Sequence, residues 1–228
     1  MPDSISRDTA PVTAHAATGG VVVASPPVAA RWEFRWMDHA LPADADAIAR
    51  WSPGPAATSA ETYLVSFRTA HNAKLRQGVV DLKRLRQISA DGLEQWEPVL
   101  KSPGPLPPDQ LEVLCASWGV APPAHRRGPV PLDDLWRFVD RHPDLRRIDL
   151  VKRRRRIAVA GCRGEITEID VAGQHWMSLA FEDEDPALVR AVLAGSGLDP
   201  RFNLNYPAAL RRLFLRPRAP GHAVEGAP

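Results

Sequence analysis

The sequence lacks the features that mark secreted, zinc-binding and membrane proteins. Only two cysteines occur in 228 residues, and Cys115 and Cys162 are too far apart in the chain to form a metal-ligand pair. We therefore expect two free packing thiols in a reducing, cytoplasmic compartment. No apolar run reaches the roughly 18 to 20 residues that a transmembrane helix needs. The sequence thus predicts no membrane partner.

The sequence also lacks an excess of either charge and the common nucleotide-binding loops. Its formal net charge is +2, so basic residues matter by their position and not by their total. No Gly-x-Gly-x-x-Gly or Gly-Lys-Ser/Thr loop occurs, which leaves Rossmann and P-loop folds without support. The seven histidines are scattered, and none has a partner at zinc-ligand spacing.

What the sequence does contain is a set of segments in which charged and apolar residues alternate. The clearest is 31–36, where charge and aromatic ring alternate without exception. Successive side chains of a strand point to opposite faces, so one face of this segment is ionic and the other aromatic. Similar alternation around Leu75 and Leu82 and in 152–156 favours a sheet curled around a mostly cationic interior. A half-buried strand with its charged face in water is the alternative.

These segments predict one folded domain, over 31–216, between ends at 1–30 and 217–228 that are rich in Ala, Pro and Gly and predicted to be disordered. Residues 50–60 are predicted as a loop. The predicted strands are 31–36, 62–67, 73–77, 79–87, 96–101, 147–159, 165–171 and 175–181. The predicted helices are 109–118, 131–141, 185–194 and 207–215.

In order and spacing, residues 31–215 resemble the CYTH-like, or triphosphate tunnel, proteins. The resemblance rests on Glu33-Phe34-Arg35, 72–76 with Asp81-Leu82-Lys83, 152–154 before 165–170, 179–186 and 205–210. It implies a mainly β (α+β) fold, an eight-stranded antiparallel tunnel-like barrel with peripheral helices and a charged lumen. It also implies that the ligand is a triphosphate, a nucleoside triphosphate or a polyphosphate.

The first strand departs from the family pattern. In the family a Glu-x-Glu-x-Lys motif supplies two metal-binding glutamates and a phosphate-binding lysine, and the matching positions here are Arg31, Glu33 and Arg35. Arginine can still bind oxyanions bidentately. Magnesium is harder to hold, because it requires hard oxygen ligands. The departure therefore favours anion binding over metal chemistry.

Two sets of site residues follow from the resemblance and from the charged side chains that share one face of each strand. The predicted phosphate-binding residues are Arg35, Lys74, Arg76, Lys83, Lys152, Arg154 and Arg156. The predicted ligands of Mg²⁺ or Mn²⁺ are Glu33, Glu182 and Glu184. No catalytic residue is assigned.

Three functions stay open at this point: metal-dependent hydrolysis of phosphoanhydride bonds by a triphosphatase or polyphosphatase, a non-catalytic polyanion-binding module, and a CYTH-type adenylate cyclase. The cyclase ranks last because no pocket for a base is recognisable. The basic run 152–156 also fits a solvated edge strand or a nucleic-acid patch. Nucleic acid is disfavoured, because aromatic residues alternate with the charges and do not share their face. The sequence does not indicate an oligomeric state.

Overall fold

The computed structural model describes residues 29–42, 54–124 and 128–214. The ends predicted to be disordered lie outside these residues, except for positions 29 and 30. The predicted domain boundaries therefore stay predictions.

Eight strands form one closed antiparallel barrel, which confirms the predicted fold class. The strands are β1 (Arg31–Asp38), β2 (Ala57–Ser66), β3 (Asn72–Arg76), β4 (Val79–Ile88), β5 (Glu94–Pro103), β6 (Leu145–Val159), β7 (Cys162–Val171) and β8 (Gln174–Asp183). Their order around the barrel is β1-β5-β4-β3-β2-β6-β7-β8, and β8 pairs with β1. Because the sheet closes on itself, the described strands present no free edge.

Six of the eight strands begin earlier than the local pattern predicts, and the largest difference is at β2. β2 begins at Ala57, inside the segment predicted as a loop, while β5 begins at Glu94 and β7 at Cys162. The early part of β2 is paired residue by residue with β6, out to Ala57 opposite Arg154. Pairing with a neighbouring strand extends a strand beyond its local propensity, so the loop prediction was wrong for residues 57–60.

Tight two-residue turns set the register of three hairpins. Gln77 and Gly78 between β3 and β4 both have positive φ, and Ala172 and Gly173 between β7 and β8 do as well. Positive φ at both central residues is the geometry of a type I′ turn, whose twist matches that of the flanking strands. The turn between β6 and β7 is built in the same way. Short turns fix which residues face inward, since a slip by one residue would reverse both faces.

Four α-helices occur in the described residues, in addition to a short 3-10 helix at Pro200–Phe202, and they lie at the four predicted places: α1 (Pro108–Trp118), α2 (Leu132–Arg141), α3 (Pro186–Gly195) and α4 (Tyr206–Phe214). α1 and α2 cover one side of the barrel, where Leu111, Leu114 and Trp118 pack on outward residues of β2 to β4. α3 covers another side, over β1, β7 and β8. None of the described helices is both long enough and apolar enough to span a bilayer.

The aromatic face of β1 points outward, under α3. Phe34 is fully buried there with Val189, Val192 and Leu193 of the helix, and Trp32 and Trp36 pack at the edge of the same cluster. The ionic face of β1 consequently points into the barrel.

We predict that Phe34→Ala lowers the free energy of unfolding by about 3–5 kcal/mol, because it leaves a cavity between β1 and α3. The matched control is Val151→Ala on the exposed outer face of β6, which should cost less than about 1 kcal/mol. Urea unfolding followed by tryptophan fluorescence measures both. Equal losses for the two variants would show that the interface between β1 and α3 is not a core.

Candidate functional site: a cationic cup inside the barrel

The inward-facing residues change from apolar to charged along the barrel axis. On β6, Ile148 and Leu150 are followed at the same parity by Lys152, Arg154 and Arg156. The apolar end is filled by residues of the surrounding strands that pack against Tyr206, Ala209 and Leu210 of α4. The barrel is therefore closed at that end by α4, and its interior is a cup.

The cup encloses a cavity of about 410 Å³. The charged residues that line it are Arg31, Glu33, Arg35, Lys74, Asp81, Lys83, Lys152, Arg154, Arg156, Arg163, Glu165 and Glu182. Eight of these are cations and four are carboxylates. The concave face of the barrel thus carries an excess of positive charge, although the whole chain is nearly neutral.

The structure brings six of the seven predicted phosphate-binding residues to this cavity. These are Arg35, Lys74, Lys83, Lys152, Arg154 and Arg156. The seventh, Arg76, does not line the cavity but lies beside it, with its guanidinium 3.6 Å from Glu61. Their role in binding phosphate stays a prediction.

Glu61 of β2 is a charged residue of this region that sequence reasoning missed. Its side chain is fully buried, and its carboxylate lies 2.9 Å from Arg154, 3.2 Å from Lys152, 3.4 Å from Lys74 and 3.6 Å from Arg76. Burial alone would raise the pKa of Glu61, but Lys152, Lys74 and Arg154 outweigh it and lower the pKa to about 2. One carboxylate therefore holds four cations of β3 and β6 together behind the cavity wall.

Lys152 lies at the floor of the cup. Its ammonium donates to the Tyr63 hydroxyl at 2.7 Å and lies 3.4 Å from the centre of the Tyr206 ring. Burial, followed by the nearby charge of Lys74, lowers the pKa of Lys152 well below its ordinary value. Glu61 and the two aromatic rings are what compensate this cation for the loss of water.

Arg35 is held in one position by several partners, including Glu165 at 4.0 Å. Its Nε donates to Glu33 at 3.0 Å, one terminal nitrogen donates to the Ser178 hydroxyl at 2.8 Å, and its guanidinium lies over the Tyr206 ring at 4.6 Å. A guanidinium fixed in this way loses little side-chain entropy when it binds an anion.

The three predicted metal ligands do not form a metal site. Glu33 and Glu182 line the cavity, whereas Glu184 follows the end of β8 and is mostly exposed. All three are in ion pairs, Glu33 with Arg35 and the other two with Arg31. Among the described residues, no three His, Cys, Asp or Glu side chains are arranged to hold a metal ion. The residues present therefore do not fit a resident Mg²⁺ or Mn²⁺.

Sequence reasoning also passed over residues that only the closed barrel brings to the cavity. Arg163 enters it from β7, and Tyr63 and Tyr206 form its floor. The alternation of Glu61, Tyr63 and Val65 along β2 was a usable signal for an inward face. It was lost because the strand was predicted to begin at residue 62.

No protein-family model and no curated protein matches the chain. Among solved structures, it is similar to a candidate adenylate cyclase from Bacillus halodurans, at 13% identity over 82% of this chain and 100% of that one, with a TM-score of 0.45. It is also similar to a candidate adenylyl cyclase from Hippeastrum whose dominant activity is that of a triphosphatase, at 14% identity over 83% and 98% of the two chains, with a TM-score of 0.43.

A third similar structure is the protein PH1819 from Pyrococcus horikoshii, at 12% identity over 79% and 98% of the two chains, with a TM-score of 0.41. At these identities and TM-scores, the three likenesses carry no argument about this chain. The strand order of the chain itself establishes the eight-stranded antiparallel barrel.

The four ion pairs of Glu61 predict an acid-labile fold. Because the pKa of Glu61 is lower in the folded state than in the unfolded chain, its stabilisation is complete above about pH 4.5 and is lost as the pH falls towards 2. We predict that Glu61→Gln lowers the free energy of unfolding at pH 7 by roughly 3–5 kcal/mol. The difference from wild type should shrink between pH 4.5 and 2, as measured by urea unfolding at each pH.

The control for this experiment is Glu168→Gln, which removes a carboxylate from the outer face of β7, where Glu168 pairs with the exposed Arg153. It should stay within about 1 kcal/mol of wild type at pH 7. A deficit of Glu61→Gln that stays constant down to pH 2 would contradict the assignment.

Proposed function

We propose that this chain binds the phosphate chain of a triphosphate or polyphosphate inside the cup. The observation that carries the proposal is the charge of the cavity lining, which contains eight cationic side chains and only four carboxylates. A ligand that enters must therefore bring several negative charges. A phosphate chain does so at short, regular spacing, and arginine and lysine are the side chains that bind it best.

The distribution of charge along the cup supports a ligand that enters end-on. Arg156 and Arg163 lie at the exposed end of the cavity, and within the described residues neither has a carboxylate partner. Deeper cations share Glu61 or Glu33. The outer arginines can attract the anion first, and the partly desolvated interior then strengthens each contact.

The closed floor distinguishes a phosphate chain from a nucleic acid. A nucleic-acid strand needs an open groove and aromatic platforms that share the basic face. Here α4 closes the barrel, and the aromatic rings of β1 lie outside, under α3. Tyr63 and Tyr206 do line the cup, but Lys152 and Arg35 already lie over their rings. The cup therefore accommodates the end of a phosphate chain, whether free or carried by a nucleoside, and not the middle of a polynucleotide.

Whether the chain also cleaves its ligand is a separate question. Three of the four cavity carboxylates, Glu33, Glu165 and Glu182, each have a cation within 4.0 Å. This arrangement suits a polyanion-binding module. A phosphate-release screen over tripolyphosphate, longer polyphosphate and nucleotides, with and without Mg²⁺ or Mn²⁺, tests for a triphosphatase. A cytoplasmic location stays a prediction from the two unpaired cysteines.

One strand provides a matched test of binding. We predict that Arg154→Ala with Arg156→Ala weakens tripolyphosphate binding at least tenfold, because both side chains line the cavity. Such a loss corresponds to about 1.4 kcal/mol. The control, Arg153→Ala with Arg155→Ala, removes the same charge from the other parity of β6. It should change the affinity less than twofold.

Isothermal titration calorimetry in a chelating buffer measures the affinities, and circular dichroism checks that both double variants are folded. If the two double variants lost the same amount of affinity, binding would depend only on the net charge of the protein. The cup would then not be the binding site.

A further inference from the structure

Arg31 lies beside two acidic side chains at the outer part of the cup. Its guanidinium is 3.4 Å from Glu182 and 4.0 Å from Glu184. These are two of the three carboxylates that the sequence offers as metal ligands. Lys83 adds a second cation 4.0 Å from Glu182. The outer part of the cup therefore already contains the positive charge that a divalent ion would supply.

The third carboxylate is also engaged. Glu33 accepts a hydrogen bond from Arg35 at 3.0 Å. Burial would raise the pKa of Glu33, but Arg35 and Lys83 outweigh it and lower the pKa. Mg²⁺ needs near-octahedral oxygen ligands and gives up water reluctantly. To bind here it would have to displace two arginines that cannot lose their charge.

A magnesium ion carried in on the ligand meets the same obstacle. It would neutralise part of the phosphate chain and place a double positive charge next to Arg31 and Lys83. Both effects weaken the attraction between the ligand and the cup. A bare phosphate chain meets only favourable charge from these two side chains.

We propose that the cup is selective for the metal-free phosphate chain, with Arg31 as the residue that takes the place of a divalent ion. This inference rests on the proposed function. Its consequence is a ligand class defined by charge state: free polyphosphate or free triphosphate groups, in preference to their magnesium complexes.

The test is the sign of the magnesium effect on binding. Tripolyphosphate is titrated into the wild-type protein by calorimetry, first in chelator and then with Mg²⁺ in excess over the ligand. We expect the apparent affinity to fall at least tenfold in Mg²⁺. With Arg31→Glu, which adds a carboxylate beside Glu182 and Glu184, we expect the order to reverse, so that the magnesium complex binds more tightly than the free chain.

Two further variants make the result specific. Arg153→Glu makes the same change of charge on the outer face of β6 and should keep the wild-type order. Arg31→Gln is the milder substitution if Arg31→Glu fails to fold, and it should reduce the magnesium penalty. A Mn²⁺ titration without phosphate should show saturable binding to Arg31→Glu and none to wild type.

The outcomes separate the two proposals. Wild-type binding that is equal or tighter in Mg²⁺ overturns the inference and leaves the proposed function standing. Arg31 variants that keep the full magnesium penalty also overturn it. If tripolyphosphate binds in neither buffer, the proposed function is wrong, and this inference is wrong as well.

Discussion

Burial of charge inside a closed barrel is the constraint on which the rest of this structure depends. Closure removes much of the inner face of the eight strands from bulk water, and a buried ion without a partner costs several kcal/mol. The carboxylate of Glu61 forms ion pairs with Lys74, Lys152 and Arg154, and the carboxylate of Glu33 forms one with Arg35. These ion pairs offset the cost of burying the four cations. The cup can therefore hold more cations than carboxylates without losing its fold.

The same constraint explains why helices cover parts of the outside of the barrel. Along the cup the inward side chains are largely charged, so the apolar side chains of these strand segments face outward and are buried beneath helices, whereas a further apolar cluster fills the inside of the barrel at its closed end. α1 and α2 cover one side, and α3 covers Phe34 and its neighbours. The charged interior and the helix-covered exterior are thus two consequences of one alternation along each strand.

The balance of cations and carboxylates within the cup also favours anion binding over metal binding. A site for Mg²⁺ needs carboxylates that are free of cations, whereas a site for a phosphate chain needs cations that are only partly neutralised. Arg31 forms an ion pair with a carboxylate at the end of β8, and Arg35 forms one with a carboxylate of β1. At the exposed end of the cavity, the positive charges of Arg156 and Arg163 are left to bind an anion. The arrangement of partners, and not the number of charges, gives the cup its chemistry.

Much of the fold could be predicted from local pattern. The alternation in β1 and β6, the turn at Gly78 and the helix starts at proline identified eight strands and four helices in the right order, because these signals depend on residues adjacent in the chain. The boundaries of β2 could not be predicted, because its first residues are strand only through their pairing with β6. Glu61 was missed for that reason.

By itself, the sequence determined which side chains share a face of each strand, since strand parity is a property of adjacent residues. It thereby placed Arg35, Lys74, Lys152 and Arg154 on ionic faces. Only the tertiary structure decided which charges meet. The pairing of Arg31 with Glu182, the four cations around Glu61 and the floor made by α4 all join residues that are distant in the chain. Such contacts depend on the strand order and closure of the barrel, which no local pattern encodes.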